Sequence, residues 1–224
     1  RMKRALALAE RACGAAEADE ADALVHVEES GFARFAGSEV HQPTLIRNES
    51  VTLRLVRDGK VGVVSSNRID DEGLRAAARR AAEAADSAPA DPGFPGLQPP
   101  IEVPPVEGFD EATAALTPED QAHAAAQAIA AAPEYGLYGY FTSAVTEVAV
   151  ASSTGHAVSQ TMTDATALVI AASPEESGYA EACSWKASEI DPEAVAREAA
   201  DKARKTADDY LALYEHILAQ HQGT

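Results

Sequence analysis

Two histidines near the end of the chain are spaced as in the zinc-binding motif H-E-x-x-x-H. They occur in Glu215-His216-Ile-Leu-Ala-Gln-His221, where the histidines are five residues apart. A hydrolytic zinc site needs a glutamate that activates the metal-bound water, and Ile217 stands where that glutamate would follow His216. In addition, residues i and i+4, not i and i+5, share one face of a regular helix. The sequence therefore favours the end of a helix, where the helix dipole stabilises histidines, over a metal site.

The other histidines offer no ligand set, and we expect each to have a structural role. They are widely separated in the sequence, at His26, His41, His123 and His156. His156 follows Ser152-Ser153-Thr154-Gly155, which pairs possible nucleophiles with a possible base. Neighbouring residues in a turn rarely point at one another, and the nucleophile-elbow pattern G-x-S-x-G is missing from this sequence. The pattern favours a turn between two strands.

Other chemistry-bearing patterns are equally weak. Gly136-Leu-Tyr-Gly139 is no phosphate loop, because neither a lysine nor a helix start follows it. The acidic run Glu17 to Asp22 predicts a solvated loop in which metal capture would be non-specific. Cys13 and Cys183 are far apart, in a predicted helix and a predicted strand, which favours two reduced thiols in the core. We therefore assign no catalytic and no metal-binding residue, and the substrate-binding residues stay unknown.

Aromatic residues cluster at the start of one predicted strand, at Tyr135, Tyr138, Tyr140 and Phe141. In a strand, alternate side chains point to opposite faces. Some of these rings are therefore expected to pack in the core and others to face water. Plain core packing is the favoured interpretation, and a groove for a peptide is the alternative.

Charge and hydropathy exclude several classes of protein. The chain has 224 residues, with 18 Lys and Arg against 36 Asp and Glu, so its formal net charge is −18. Such a charge repels nucleic acid, which is usually bound by a basic stripe. No apolar run approaches the length of a membrane span, and Glu10 and Arg11 interrupt the apolar part of the first residues. We expect a cytoplasmic protein that binds neither nucleic acid nor membrane.

The order of predicted elements is helix, strands, helix, connector, helix, strands, helix. Helices are predicted over residues 2–16, from Asp70 or Asp71 to before Pro89, over 117–132 with Thr117 as N-cap, and over 192–221. Strands are predicted at 23–28, 32–35, 40–46, 50–56 and 60–65, and four or five more over 137–186. Seven of the twelve prolines lie in 88–108, which excludes helix or central strand there. This order predicts an α+β fold with two antiparallel sheet-plus-helix halves: a domain over 1–90, a proline-rich connector over 91–110, and a second domain over 111–224 with a long C-terminal helix.

Several segments resemble the TldD/PmbA family, the metallopeptidase-related proteins also called modulators of DNA gyrase. VRDGKVGVVSSNRIDDEGLRAAARRAAEAADSAPADPGFPGL is similar to the hairpin, helix and Asp-Pro exit of that family's first domain. VAVASSTGHAVSQ, ESGYAEACSWKASEID and PEAVAREAADKARK resemble later family segments in the same order. The resemblance covers about residues 5–207 and ends before ADDYLALYEHILAQHQGT.

The resemblance implies a non-catalytic N-terminal module of a zinc metallopeptidase system that cleaves unfolded or modified peptides. Peptidase members carry H-E-x-x-x-H, a string that does not occur in these 224 residues. We therefore expect no cofactor in this chain, and zinc on a partner subunit or on a C-terminal half. The expected partners are that zinc-bearing subunit and an extended peptide, in an oligomer that encloses a cavity. The alternative is a protein-interaction scaffold without a peptidase role, and an independent hydrolase is the least favoured function.

Overall fold

In the part of the chain that the structure describes, a computed structural model, seven β-strands and five α-helices form an α+β fold. The structure describes residues 4–41 and 43–221, and the side chains of 207–210 and 213–221 lie outside its description. The helices are α1 (Arg4–Gly14), α2 (Asp71–Ser87), α3 (Glu111–Ala114), α4 (Pro118–Ala130) and α5 (Pro192–His221). The strands are β1 (Glu20–Ala36), β2 (Glu39–Val40), β3 (Thr44–Arg57), β4 (Lys60–Ser66), β5 (Gly136–Ser152), β6 (Ala157–Ala172) and β7 (Ser177–Ser184).

The strands follow the hydrogen-bonded order β4-β3-β1-β5-β6-β7, and β2 pairs with β1. The predicted α+β class with antiparallel pairing is confirmed, although the strands form one sheet where two were predicted. The reason is the length of three strands, β1, β5 and β6, each of which has 16 or 17 residues. Each of these strands contributes residues to both of the compact units into which the chain divides.

The first unit comprises Arg1–Glu29, Arg47–Gly108 and Val145–Met162. Its core packs the apolar sides of α1 and α2 against alternate residues of the strands, with Val25, Leu53 and Leu55 among the largest buried side chains. The hairpin between β3 and β4 turns at Asp58 and Gly59, both of which have positive φ angles. That backbone conformation is the one the Asp-Gly pair favours in a two-residue hairpin, and it joins the strands predicted at 50–56 and 60–65.

The second unit comprises Ser30–Ile46, Phe109–Ala144 and Thr163–Thr224. Its core consists of Phe35, Leu137, Phe141 and Val169 on the strands, packed against the alanine-rich sides of α4 and α5. Small alanine side chains let a helix backbone lie close to a sheet, which explains how a chain with 5% aromatic residues fills this core. The two predicted helices are confirmed, and α4 begins with a capping box between Thr117 and Asp120.

Several predicted boundaries were wrong. The strands predicted at 23–28 and 32–35 are one strand: β1 runs through Gly31, where a Cβ atom would overlap the buried side chain of Gln121. The segment 137–186 contains three long strands instead of four or five. The predicted strand over 40–46 is divided into β2 and the start of β3, with Pro43 between them. Period-two patterns identify strands well but do not show whether a glycine interrupts one.

The proline-rich residues 88–108 contain no helix or strand, as predicted, and all of them belong to the first unit. The Leu97 amide donates to Glu20 at 2.6 Å, and Gln160 donates to the Val106 carbonyl at 3.2 Å. Most of this segment is exposed. The predicted domains follow one another in sequence, whereas the compact units are interleaved, and the division at residues 90 and 110 stays a prediction.

Helices long and apolar enough for a bilayer span are lacking within residues 4–41 and 43–221.

Candidate functional site

The two histidines that are spaced as in the zinc-binding motif lie in α5. The backbone of α5 extends to His221, but the side chains of His216 and His221 lie outside the described residues. Among the described side chains, no group of three His, Cys, Asp or Glu residues is arranged to hold a metal ion. The described residues therefore do not fit a zinc site.

The turn from Ser152 to His156 uses its polar groups to hold the backbone. Thr154 Oγ1 lies 2.9 Å from Ser152 Oγ and donates to the Gln98 carbonyl at 2.8 Å. Ser153 Oγ accepts from the Ala21 amide at 2.9 Å, and His156 Nδ1 accepts from the Ile101 amide at 3.4 Å. These contacts place the turn beside the proline-rich segment and hold the two together. The favoured interpretation as a turn agrees with this geometry.

The remaining histidines are dispersed over two elements and one connecting segment. His26 is half-buried in β1 and alternates with the buried Val25 and Val27, as expected for the more polar side of a strand. His41 follows β2, and His123 lies in α4.

The acidic residues near the start of β1 have structural partners. Asp19 accepts from the Asp58 amide at 2.8 Å, and Asp22 forms an ion pair with Arg54. Glu20 and Asp22 already belong to β1, so the predicted solvated loop is shorter than expected. These carboxylates therefore organise a hairpin and a strand pair.

The two thiols differ in environment. Cys13 is half-buried in α1, and its thiol donates to the Ala21 carbonyl at 3.4 Å. Burial, followed by the charge of Asp22, raises the pKa of Cys13 above its ordinary value. Cys183 is exposed on β7, so the prediction of two core thiols was wrong for this residue, because it lies on the side of β7 opposite the buried Ala180.

The aromatic cluster is divided between the two sides of the sheet in the second unit. Tyr135 and Phe141 are buried in the core, and the Tyr135 hydroxyl donates to Glu176 at 2.6 Å. Tyr138 and Tyr140 point the other way, because side chains alternate along β5. The expectation that some of these rings pack and others face water agrees with this arrangement.

Outward-facing aromatic and aliphatic side chains of the second unit form a patch that we call the tyrosine face. It consists of Phe32 on β1, Tyr138 and Tyr140 on β5, Ile170 on β6 and Tyr179 on β7. Phe32 stacks on Tyr140, with ring centroids 4.8 Å apart and an angle of 29° between the rings. Ile170 is the pairing partner of Tyr179 across β6 and β7. Tyr138, Ile170 and Tyr179 are 45%, 38% and 47% exposed, so the face is accessible to a ligand.

A carboxylate lies beside this face. The Tyr179 hydroxyl donates to Glu181 at 2.5 Å, and this hydrogen bond raises the pKa of Tyr179 above its ordinary value, with smaller effects from desolvation, the Glu181 charge and Tyr140. Arg34, two residues after Phe32, is exposed on the same side of β1.

β7 ends the strand order, with β6 as its one strand neighbour among the described strands. An edge strand presents a row of backbone N–H and C=O groups that can pair with another extended chain. An extended segment paired with β7 would direct alternate side chains to the side of the sheet on which Tyr179 and Glu181 lie. The candidate site combines this edge with the tyrosine face.

Four residues of this site, Phe32, Ile170, Tyr179 and Glu181, have no distinguishing pattern in the sequence. Strand alternation shows that Phe32 and Ile170 lie opposite to core residues of the same strands. It does not show that β1, β5, β6 and β7 are neighbours in the order that brings these side chains together.

Comparison with known proteins places these elements in a family. The model of the PmbA/TldA metallopeptidase domain 1 matches residues 21–85, and that of the PmbA/TldA metallopeptidase central domain matches residues 108–206. No curated protein matches the sequence.

Solved structures share the fold. TldE from Thermococcus kodakarensis is 15% identical with a TM-score of 0.71, and the match covers 88% of this chain and 46% of that chain. A protein described as a modulator of DNA gyrase from Thermotoga maritima is 16% identical with a TM-score of 0.68, covering 82% of this chain and 44% of that one. A second such protein, from Bacteroides thetaiotaomicron, is 16% identical with a TM-score of 0.67, covering 89% and 48%.

This chain spans less than half the length of each of those solved structures, and at such identities the likeness concerns the fold. The domain models add a match in sequence, and they occur in the chain as first domain and then central domain. Together they match most of its residues, and the chain therefore belongs to the TldD/PmbA family.

Proposed function

We propose that this chain is the non-catalytic N-terminal module of a TldD/PmbA-type zinc metallopeptidase system. In this proposal, a zinc-bearing partner subunit or C-terminal half hydrolyses unfolded or modified peptides. This chain helps to form the cavity and to admit the substrate. Zinc, when bound on the partner, supplies the activated water.

The observation that carries the proposal is the pair of domain models over 21–85 and 108–206, in a chain that spans less than half of its solved relatives. A first domain and a central domain are pieces of a larger architecture. The match to two domain models of one metallopeptidase family supports a partner from the same family. A cytoplasmic location and an oligomeric assembly stay predictions.

The candidate site supports the admission of extended peptides. A chain in extended conformation can add to a sheet edge, where main-chain hydrogen bonds provide affinity and side-chain pockets provide specificity. β7 offers such an edge, and Tyr179 lies on its outward side. The proposed substrate is therefore an unfolded segment that adopts a strand on binding.

The test is a peptidase assay on an unstructured peptide with three samples: the chain alone, a zinc-bearing family partner alone, and the pair. We expect cleavage by the pair and its loss when a chelator is added. Cleavage by the chain alone would contradict the non-catalytic assignment. A partner that is equally active without this chain would favour the scaffold alternative.

The terminal histidines supply the matched control. A variant with both His216→Ala and His221→Ala should restore cleavage as the parent chain does, because the proposal places zinc on the partner. Metal analysis of the dialysed chain should also give well under one zinc per chain. A full equivalent of zinc that disappears in the double variant would overturn this part of the proposal.

A further inference from the structure

The strands that carry most of the tyrosine face contain carboxylates but no cations. Neither Lys nor Arg occurs in β5, β6 or β7, whose charged residues are Glu147, Asp164 and Glu181. Asp164 and Glu181 belong to the second unit, and Glu181 is exposed beside Tyr179. The whole chain carries a formal net charge of −18. A ligand of this surface thus meets aromatic rings and negative charge together.

We propose that the tyrosine face and the β7 edge bind extended peptide segments that combine apolar with Lys or Arg side chains. This inference rests on the proposed function, because it names the class of peptide that the module admits. The occupant is a cationic, partly apolar segment without stable structure of its own.

The chemistry of the face matches both kinds of side chain. Tyrosine rings attract ammonium and guanidinium groups through the negative face of the ring, and the attraction adds to apolar contact. Tyr138 and Tyr179 are about half exposed, so their rings are available to a ligand, and Ile170 offers an aliphatic surface next to Tyr179. Glu181 supplies a carboxylate for a cation held over the neighbouring ring.

The edge of β7 explains why the peptide is extended. Alternate residues of a paired strand point to the same side of the sheet. A strand paired with β7 would therefore direct every second side chain towards the side of Tyr179 and Glu181. Arg34 lies at the β1 side of the face, which places the negative end of the patch at β7.

The test measures direct binding to the chain alone by fluorescence anisotropy. The probe is a short fluorescein-labelled peptide that alternates lysine and valine. We expect tighter binding of this probe than of three matched peptides, in which lysine is replaced by glutamate, lysine by glutamine, or valine by serine. Equal affinity for the lysine and glutamate peptides would overturn the inference.

Variants then locate the site. Tyr138→Ala and Tyr179→Ala should each lower the affinity for the lysine peptide by about fivefold or more, as expected for aromatic residues that anchor a ligand. Glu181→Gln should lower the affinity for the lysine peptide and leave the affinity for the glutamine peptide unchanged. The matched controls are Val63→Ala, an equally exposed apolar residue on β4, and Glu83→Gln, an exposed carboxylate on α2.

These controls separate a local site from general attraction to an acidic protein. If Tyr138→Ala and Tyr179→Ala bind the lysine peptide as the parent does, or if Glu83→Gln weakens it as much as Glu181→Gln, the assignment to this face is wrong. Circular dichroism checks that each variant keeps the parent fold. Cleavage by the chain and its partner without selective binding of lysine peptides would refute this inference alone. Selective binding without restored cleavage would refute the proposed function alone.

Discussion

Tyr135 shows how one side chain couples the core of the second unit to a carboxylate. Its ring is buried, and its hydroxyl donates to Glu176 at 2.6 Å. Burial, then the hydrogen bond and the charge of Glu176, raise the pKa of Tyr135 from 10 to about 12. The folded chain therefore keeps this proton at pH values where the unfolded chain has lost it.

The consequence is a loss of stability at alkaline pH. Tyr135 stabilises the folded state fully below pH 10, and this contribution declines as the pH rises from 10 through about 12. We expect Tyr135→Phe to lose less stability than the parent over this range, as measured by urea unfolding at a series of pH values. Below pH 10 the difference between the two proteins should be constant. A difference that stays constant up to pH 12 would rule out Tyr135 as the titrating group.

Gly31 and Gln121 form a second coupled pair of residues. Gln121 is 2% exposed, and its amide donates to Ser143 Oγ at 2.8 Å. A Cβ atom at Gly31 would overlap this amide. We expect Gly31→Ala to lower the free energy of unfolding by about 2 kcal/mol, a typical cost of overpacking. Gln121→Ala in the same chain should recover part of that loss, and strictly additive effects would contradict the contact.

At the scale of elements, a helix packs closely against an edge strand in the same way in both units. Gly62 of β4 faces the backbone of α2 at Ala81 and Ala85, and Gly178 of β7 faces the backbone of α5 at Ala199 and Ala203. All four alanines are fully buried. A glycine on the strand and alanines one turn apart on the helix let the two backbones approach closely.

A methyl group at either glycine should push the helix away from its strand. We expect Gly62→Ala and Gly178→Ala each to lower the free energy of unfolding by about 2 kcal/mol or more, because the obstacle is backbone that cannot rotate aside. Gly14→Ala is the matched control, since a Cβ atom there meets no atom within 4 Å. Urea unfolding measures all three variants. Equal stability of the Gly14 and Gly62 variants would contradict close packing of α2.

At the scale of the whole molecule, the strands β1, β3, β5 and β6 each contribute residues to both compact units. Cleavage in the proline-rich segment therefore does not separate one unit from the other, as cleavage between sequential domains would. The fragment that ends at Glu102 would contribute residues to both units, and so would the fragment that follows it.

Limited proteolysis distinguishes the two kinds of organisation. The segment 98–107 is exposed and contains Glu102 and Glu107 but neither Lys nor Arg, so a glutamate-specific protease is the suitable probe. We expect early cleavage there, with fragments that elute together in native gel filtration and separate in denaturant. Fragments that separate without denaturant would instead support independent domains over 1–90 and 111–224.

The local elements and the family could be predicted from the order of residues alone. Capping residues such as Thr117, the Asp58-Gly59 turn and the alanine stripes depend on neighbours within a few residues, so their patterns are legible in the chain. The family resemblance likewise rests on ordered local segments, and the domain models confirm it.

Which strands are neighbours, and which face of each remains open, depends on contacts between residues far apart in the sequence. Phe32 and Tyr140 stack although more than a hundred residues separate them, because β1 and β5 are adjacent in the sheet. The same strand order ends at β7, with Tyr179 and Glu181 on its outward side. Alternation along one strand fixes two faces but does not say which of them helices will cover. That choice depends on where α4 and α5 pack, and it left the tyrosine face accessible.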